Sequence, residues 1–353
     1  MEFNFKSNSA YSYMRYGGYQ GKYKGKEYYM VPNPEASINI RDLYDMFSKM
    51  DSILVDLLNI GRICIDSEDD QTKFTCAYFF VEQYGLLGFM VEAPINADFL
   101  LNEEVTLKES NFINKNCVMR TKEYFDLFFP FTKDNEMNYT VTNGKVKLET
   151  NSDLQKMLNR TSLNNQLIYS SFYCEKIDWI IEYAKKMYKT FKKYVDLANN
   201  SINDYDEYRA RETINDYYFS GIPYKINMYG NTPEISWQPN CLKQAIDMAF
   251  GFMLCSEKNP LKICKHCGKV FYAKNPKAEY DSSQCRNQAN VYKSRNKIKQ
   301  IKNNYWNYRK SIVFKIKLKY NKSILFIEEI FVEGGEHFEF IRFNLAINCF
   351  IIT

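Results

Sequence analysis

Over several long stretches of this chain, apolar residues recur at three- and four-residue steps, the period of a helix with one buried face. Between residues 40 and 63 that spacing joins Leu43, Met46, Phe47, Met50, Leu54, Leu57 and Leu58 and predicts a first helix. A second is predicted over 72–89, dense in aromatics and closing near Gly85 and Gly88, and a short one over 121–129 stops at Pro130. Helix resumes from Asp153. Within 174–197, Ile177, Ile180, Ile181, Ala184, Met187, Phe191, Tyr194 and Val195 form one face, and the Lys residues opposite read as solvated surface. Leu242, Ala245, Ile246, Ala249, Phe250, Met253 and Leu254 mark another buried-face helix. Strand signals are shorter. Residues 1–37 are Tyr-rich, with Gly17, Gly18, Gly21 and Gly25, and close at Pro32 and Pro34. Asn143-Gly144 predicts a hairpin within 131–150, and 218–239 alternates as two strands broken at Gly230 and Pro233. The expected class is mainly α (α+β).

Composition narrows the function classes. At 353 residues, 45% apolar and 25% charged, the chain is expected to be globular, with about two domains. Residues 1–30 hold no secretory apolar core, and the apolar run 343–352 is far shorter than the roughly 18 residues a spanning helix needs, so the expectation is a cytoplasmic protein with no membrane partner. Two histidines leave little material for His-based acid-base catalysis, and Asp204, Asp206 and Glu207 read as an acidic surface loop rather than a catalytic carboxylate set, so the chain is read as no enzyme. Charge is uneven. Residues 258–310 carry 14 Lys or Arg against Glu279 and Asp281 alone, a net +12 that leaves −7 for the rest of a +5 chain. Such a layout is expected when one module meets a polyanion.

Ten cysteines are too few for a disulfide scaffold. Cys64, Cys76, Cys117, Cys174, Cys241, Cys255 and Cys349 share no spacing and read as buried thiols. The other three cluster. Cys264-Lys-His-Cys267 followed by Gly268 has the form of a zinc knuckle, and Asp281-Ser-Ser-Gln-Cys285 supplies a second half-site. A carboxylate oxygen ligates Zn²⁺ as well, though more weakly than a thiolate, so Cys264, Cys267, Asp281 and Cys285 are the expected ligands of one structural zinc ion. His266 and Cys255 are the less favoured alternatives. Beyond Cys285 a Pro- and Gly-free basic helix is predicted to residue 310, with Val291, Ile298, Ile301, Tyr305 and Tyr308 on one stripe and cations over the remaining surface. Nucleic-acid contacts are expected from Lys265, Lys269, Lys274, Arg286, Asn287, Gln288, Lys293, Arg295, Lys297, Lys299 and Lys302. Phe271, Tyr272, Tyr292 and Trp306 are candidates for stacking on unpaired bases, although such aromatics more often belong to a core.

The segment 235–310 resembles the C-terminal zinc finger of CGNR-type bacterial proteins, whose N-terminal part is the ABATE domain, a family regarded as stress-induced transcription regulators. The entering helix resembles Trp237 through Leu254. The cysteine pair with its following Phe resembles Cys264, Cys267 and Phe271, and the final Cys with its signature resembles Cys285-Arg286-Asn287-Gln288. Arg286 stands where the family has Gly, Gln288 where it has Arg, and Asp281 where it has the third Cys. The resemblance implies a helical ABATE-like body over 1–257, a treble-clef-like finger with its basic helix over 258–310, and a DNA-binding regulator; it is faint before 235 and does not reach the tail, 311–353. The tail alternates Phe314, Ile316 and Leu318 with Lys and is expected as a β-hairpin around Gly334-Gly335. DNA is the favoured partner over RNA, and a homodimer and a small-molecule effector of the body fit the same reading. The alternatives are a zinc-dependent protein-interaction or toxin-antitoxin-like module and, behind it, a metal-dependent nuclease.

Overall fold

The computed structural model describes residues 12–13, 15–33, 44–45, 48–92, 104–106, 118–132, 138–142, 145–149, 172–199, 201, 203–217, 222, 224–237, 239–256 and 260–320. It is mostly helical with short antiparallel strands. The helix expected from Asp153 to residue 171 and the tail hairpin around Gly334-Gly335 lie outside the described residues. The chain forms two compact units, Met1–Ala289 and Asn290–Thr353.

In the first unit, strands β1 (Ser12–Tyr13), β2 (Tyr19–Lys24), β3 (Glu27–Pro32) and β4 (Tyr44–Asp45) are followed by helices α1 (Met50–Asp66) and α2 (Asp70–Tyr84). Helix α1 starts ten residues later than the apolar spacing predicts, because Tyr44 and Asp45 pair with Tyr13 and Ser12 and a turn at Ser48 and Lys49 precedes Met50. A three- to four-residue apolar spacing does not by itself distinguish helix from a strand edge followed by a turn. Leu43, Met46 and Phe47 lie outside the described residues. Helix α2 opens on Asp69, whose carboxylate accepts from the Gln71 and Thr72 N–H groups, and ends at Gly85, where φ of 91° takes the chain out of the helix. It therefore stops short of Phe89, which begins a 3₁₀ turn, Phe89–Glu92.

The pairs β5 (Glu104–Thr106) with β6 (Val118–Arg120) and β7 (Asn138–Thr142) with β8 (Lys145–Glu149) flank α3 (Thr121–Phe128) in sequence, as the hairpin signal at Asn143-Gly144 predicts for the second pair. Strand β9 (Glu175–Lys176) adds to β3, completing a three-stranded sheet β2-β3-β9, and leads into α4 (Ile177–Ala198). Helix α5 (Asp204–Asn215) replaces the expected acidic loop. Asn203 caps it by accepting from the Asp206 N–H, and three acids in its first turn suit the positive end of the helix dipole. Strands β10 (Tyr224–Tyr229) and β11 (Thr232–Trp237) form the expected hairpin, with α6 (Leu242–Cys255) after it.

The main apolar core draws Ile53, Leu57 and Leu58 from α1, Ala77, Phe80 and Val81 from α2, Ile180, Met187 and Phe191 from α4, and Ile246 and Phe250 from α6. Helices α1 and α4 cross at Gly61, where a β-carbon would stand 2.1 Å from the Ala184 carbonyl oxygen, so only glycine permits the approach. Among the buried polar side chains, Glu175, Lys243 and Asp247 carry ionisable groups. The Glu175 carboxylate accepts from the N–H groups of Leu87, Gly88 and Phe89 and from the Tyr173 hydroxyl, which fixes the segment leaving α2. In α6, Lys243 and Asp247 form a buried ion pair at 2.6 Å, and the Tyr183 and Tyr217 hydroxyls each donate to Asp247 at 2.8 Å. Cys64, Cys174 and Cys241 are buried as expected and Cys76 is half-buried, but Cys255, at the last turn of α6, is exposed. Cys117 and Cys349 lie outside the described residues.

The last elements are strands β12 (Leu261–Ile263) and β13 (Val270–Tyr272), paired with Ile263 opposite Val270, and helix α7 (Ser283–Tyr320). Helix α7 continues ten residues past the predicted end at 310. Residues 311–320 are therefore helical rather than strand, since neither Pro nor Gly interrupts the chain between Ser283 and Tyr320 and an apolar-Lys alternation this short does not overrule a helix already under way.

Candidate metal centre and basic helix

The knuckle is shaped by its backbone. The Gly268 N–H donates to the Cys264 carbonyl and the Cys264 N–H to the Lys269 carbonyl, both at 2.9 Å. The tight return this requires puts Gly268 at φ of 72°, in the left-handed region that favours glycine. Helix α1 anchors the hairpin. The Asn59 side chain donates to the Val270 carbonyl and accepts from the Val270 N–H, each at 2.9 Å, so one buried amide completes the backbone pairing of β13. Leu261 and Val270 belong to the main apolar core, and the finger is seated on the body rather than tethered beside it.

The second half-site comes from the start of α7. Ser282 accepts from the Cys285 N–H through its hydroxyl at 3.1 Å, capping the helix, and its carbonyl accepts from the Arg286 N–H. That cap places Asp281 just before the helix and Cys285 in its first turn. Lys265 braces the connecting loop through the Glu279 carboxylate at 2.6 Å and, by its N–H, through the Glu279 carbonyl.

The two halves converge. Thiol sulfurs of Cys264, Cys267 and Cys285 and a carboxylate oxygen of Asp281 all lie within 4.8 Å of one another. Cys264 Sγ stands 3.5 Å from Asp281 Oδ1 and Cys267 Sγ 3.7 Å from Oδ2. Four ligands around a tetrahedral zinc ion, bound at about 2.3 Å to sulfur and about 2.1 Å to oxygen, are separated by about 3.5–3.8 Å. The donor set and its spacing fit such an ion. Electrostatics divides the thiols. Burial raises the Cys264 thiol, but N–H groups of Cys267, Asp281 and His266 outweigh it and hold its pKa below the ordinary thiol value. Asp281, held below the usual carboxylate range by hydrogen bonding with Cys285, pushes the Cys285 thiol in turn up to about 12. Fully ionised, the cluster would bring three thiolates and a carboxylate together; a divalent cation is what makes that arrangement tenable.

The sequence-predicted ligands are thus brought together, and the alternatives are not. His266 turns its Nε2 to Gln288 Oε1 at 3.0 Å, and Cys255 lies outside the group. Of the candidate nucleic-acid contacts, Lys265, Lys269, Lys274, Arg286, Asn287, Gln288, Lys293, Arg295, Lys297, Lys299 and Lys302 are all exposed, with Lys265 paired to Glu279 and Gln288 to His266. Over its full length α7 carries eleven Lys or Arg and no Asp or Glu. The stripe of Val291, Ile298, Ile301 and Tyr305 is exposed as well. Asn59 and Ser282 escaped the sequence reading. A polar residue inside the apolar period of α1 is the signal that could have flagged Asn59, and a Ser ahead of a Pro-free run the one for Ser282.

Among the described residues no helix is long and apolar enough to cross a membrane. No family model, curated protein or solved structure matches the chain.

Proposed function

We propose that this chain is a nucleic-acid-binding protein whose finger is organised by one structural zinc ion on Cys264, Cys267, Asp281 and Cys285, with DNA favoured over RNA. The resemblance of 235–310 to CGNR-type fingers supports a bacterial transcription regulator. The observation that carries the reading is α7: a 38-residue helix with eleven cations and no acid, whose first turn supplies a ligand of the metal cluster. The helix itself carries no acid to balance its cations, and phosphates of a polyanion supply the counter-charge. The ion joins the knuckle to the helix start; the cations beyond contact phosphate, and Asn287 and Gln288 stand beside Arg286 as amide donors.

Metal analysis of the purified full chain beside its Cys264→Ser variant, with gel-shift titration of both, tests the proposal. About one zinc per chain is expected, lost together with affinity in the variant. If some six phosphates are neutralised, log K falls with log salt at a slope near −5, as about 0.9 per phosphate requires. Metal-free protein that binds unchanged, or affinity indifferent to salt, overturns it.

A further inference from the structure

Resting on that nucleic-acid reading, we infer that α7 takes an unpaired strand, through a stripe in which two aromatic rings bracket three cations. The residues are Tyr292, Arg295, Lys299, Lys302 and Trp306. Their spacing of three, four, three and four residues keeps all five on one side of a helix that turns every 3.6 residues. All five are exposed, Tyr292 by 57% and Trp306 by 64%. Sequence alone favours burial for aromatics of this kind; here they stand out among the charges instead. On a helix of this period Arg295 and Lys302 fall between the two rings and the apolar stripe of Val291, Ile298, Ile301 and Tyr305.

The chemistry follows from the order along the stripe. Tyr292 and Trp306 are fourteen residues apart, about 21 Å at 1.5 Å per residue, with the three cations between them. A backbone lying along that line meets Arg295, Lys299 and Lys302 in turn, and a base at either end meets the face of a ring. Stacked bases inside a duplex offer no such face, whereas every unpaired base does, so the aromatic pair adds affinity only for single strands. Deoxyribose and ribose strands share this chemistry. No acid on α7 opposes the phosphates.

The test uses the full-length, zinc-loaded chain and fluorescence anisotropy with three labelled probes of about 15 nucleotides, within the usual site sizes of single-strand binders: oligothymidylate, oligouridylate and a mixed-sequence duplex. At least about tenfold tighter binding is expected for one or both single strands than for the duplex, and the tighter of the two identifies the sugar. The Tyr292→Ser/Trp306→Ser variant changes two exposed positions, and circular dichroism checks its helix content. It should lose at least about 30-fold in single-strand affinity, since two stacking platforms of about fivefold or more each are removed, with duplex affinity and salt slope unchanged. Arg295→Gln/Lys299→Gln/Lys302→Gln should weaken all three probes and reduce the single-strand slope by about 2. Equal or tighter duplex binding, or an aromatic variant that binds like the parent, overturns the inference while leaving salt-dependent binding through the cations intact. Failure of every probe to bind overturns the nucleic-acid reading itself.

Discussion

At the candidate metal centre single residues decide the chemistry, and Asp281 offers the weakest donor of the four. Its carboxylate is harder and less tightly held by zinc than a thiolate. Asp281→Cys should therefore retain zinc at chelator concentrations that strip the parent, whereas Asp281→Ala, with three ligands left, should lose at least about tenfold in affinity, since even outer-shell partners are worth about 10- to 100-fold. Competition with a chromophoric chelator measures both. A different kind of single residue is Asp247, whose buried carboxylate pairs with Lys243 and accepts from two tyrosine hydroxyls. Asp247→Ala leaves a buried ammonium without its counter-charge and should destabilise the fold by about 3–5 kcal/mol in urea unfolding. Replacing both charges by Met and Leu should restore most of that loss. The four residues of the cluster were legible because two half-sites with fixed spacings can be read along a chain. Asp247 and Asn59 were not, since their meaning lies in partners such as Tyr183 and Val270, remote in sequence and visible only once the chain is folded.

At the level of elements, the period of buried residues located most helices, and local backbone chemistry placed their ends. Thus Gly85 stopped α2 where its φ of 91° leaves the helix, while the start of α1 at Met50 depended on the pairing of Tyr44 and Asp45 with a strand over thirty residues earlier. The segment between α2 and its 3₁₀ turn shows how one side chain sets a connection. Burial of Glu175 raises its pKa above the ordinary carboxylate value despite the three N–H groups and the Tyr173 hydroxyl donating to it. A carboxyl raised on folding keeps its proton in the native state over a window where the unfolded chain has lost it. The native state then binds more protons, so stability falls as pH rises from about 4.3, the unfolded value, up to the folded pKa, and levels off above it. Glu175→Gln should remove that part of the slope, which unfolding curves taken across the window measure; an unchanged slope contradicts the assignment. The α1–α4 crossing is equally specific. Gly61→Ala must push the Ala184 carbonyl aside and should destabilise by about 1–3 kcal/mol, as overpacking of a tight core does.

For the molecule as a whole, what matters is that the finger and the body share one core. The charge asymmetry and the break in composition near residue 258 suggest a small metal module beside a larger domain, and a module of that kind would lose its fold on chelation while the body kept its own. The packing argues differently. Leu261 and Val270 are buried with Leu57, Ile246 and Phe250, and Asn59 pins the Val270 backbone to α1. With zinc held as proposed, its removal would free Cys264 and Cys267, which follow β12 by one and four residues, and so loosen a hairpin that contributes Leu261 and Val270 to the body's core. Binding to the native state alone stabilises by about 4 kcal/mol when free metal exceeds its dissociation constant a thousandfold. At roughly 2 °C per kcal/mol for a domain of this size, chelation should lower the melting temperature of the body by about 8 °C. Near-ultraviolet circular dichroism reports that transition through Tyr173, Trp179 and Tyr183, all buried in the core at a distance in sequence from the finger. Asn59→Ala breaks the link and, already destabilised, should show a smaller metal-dependent shift than the parent. If instead the body melts at the same temperature with and without zinc, the shared core does not couple the two, and the finger behaves as the separate module that charge and composition alone suggest.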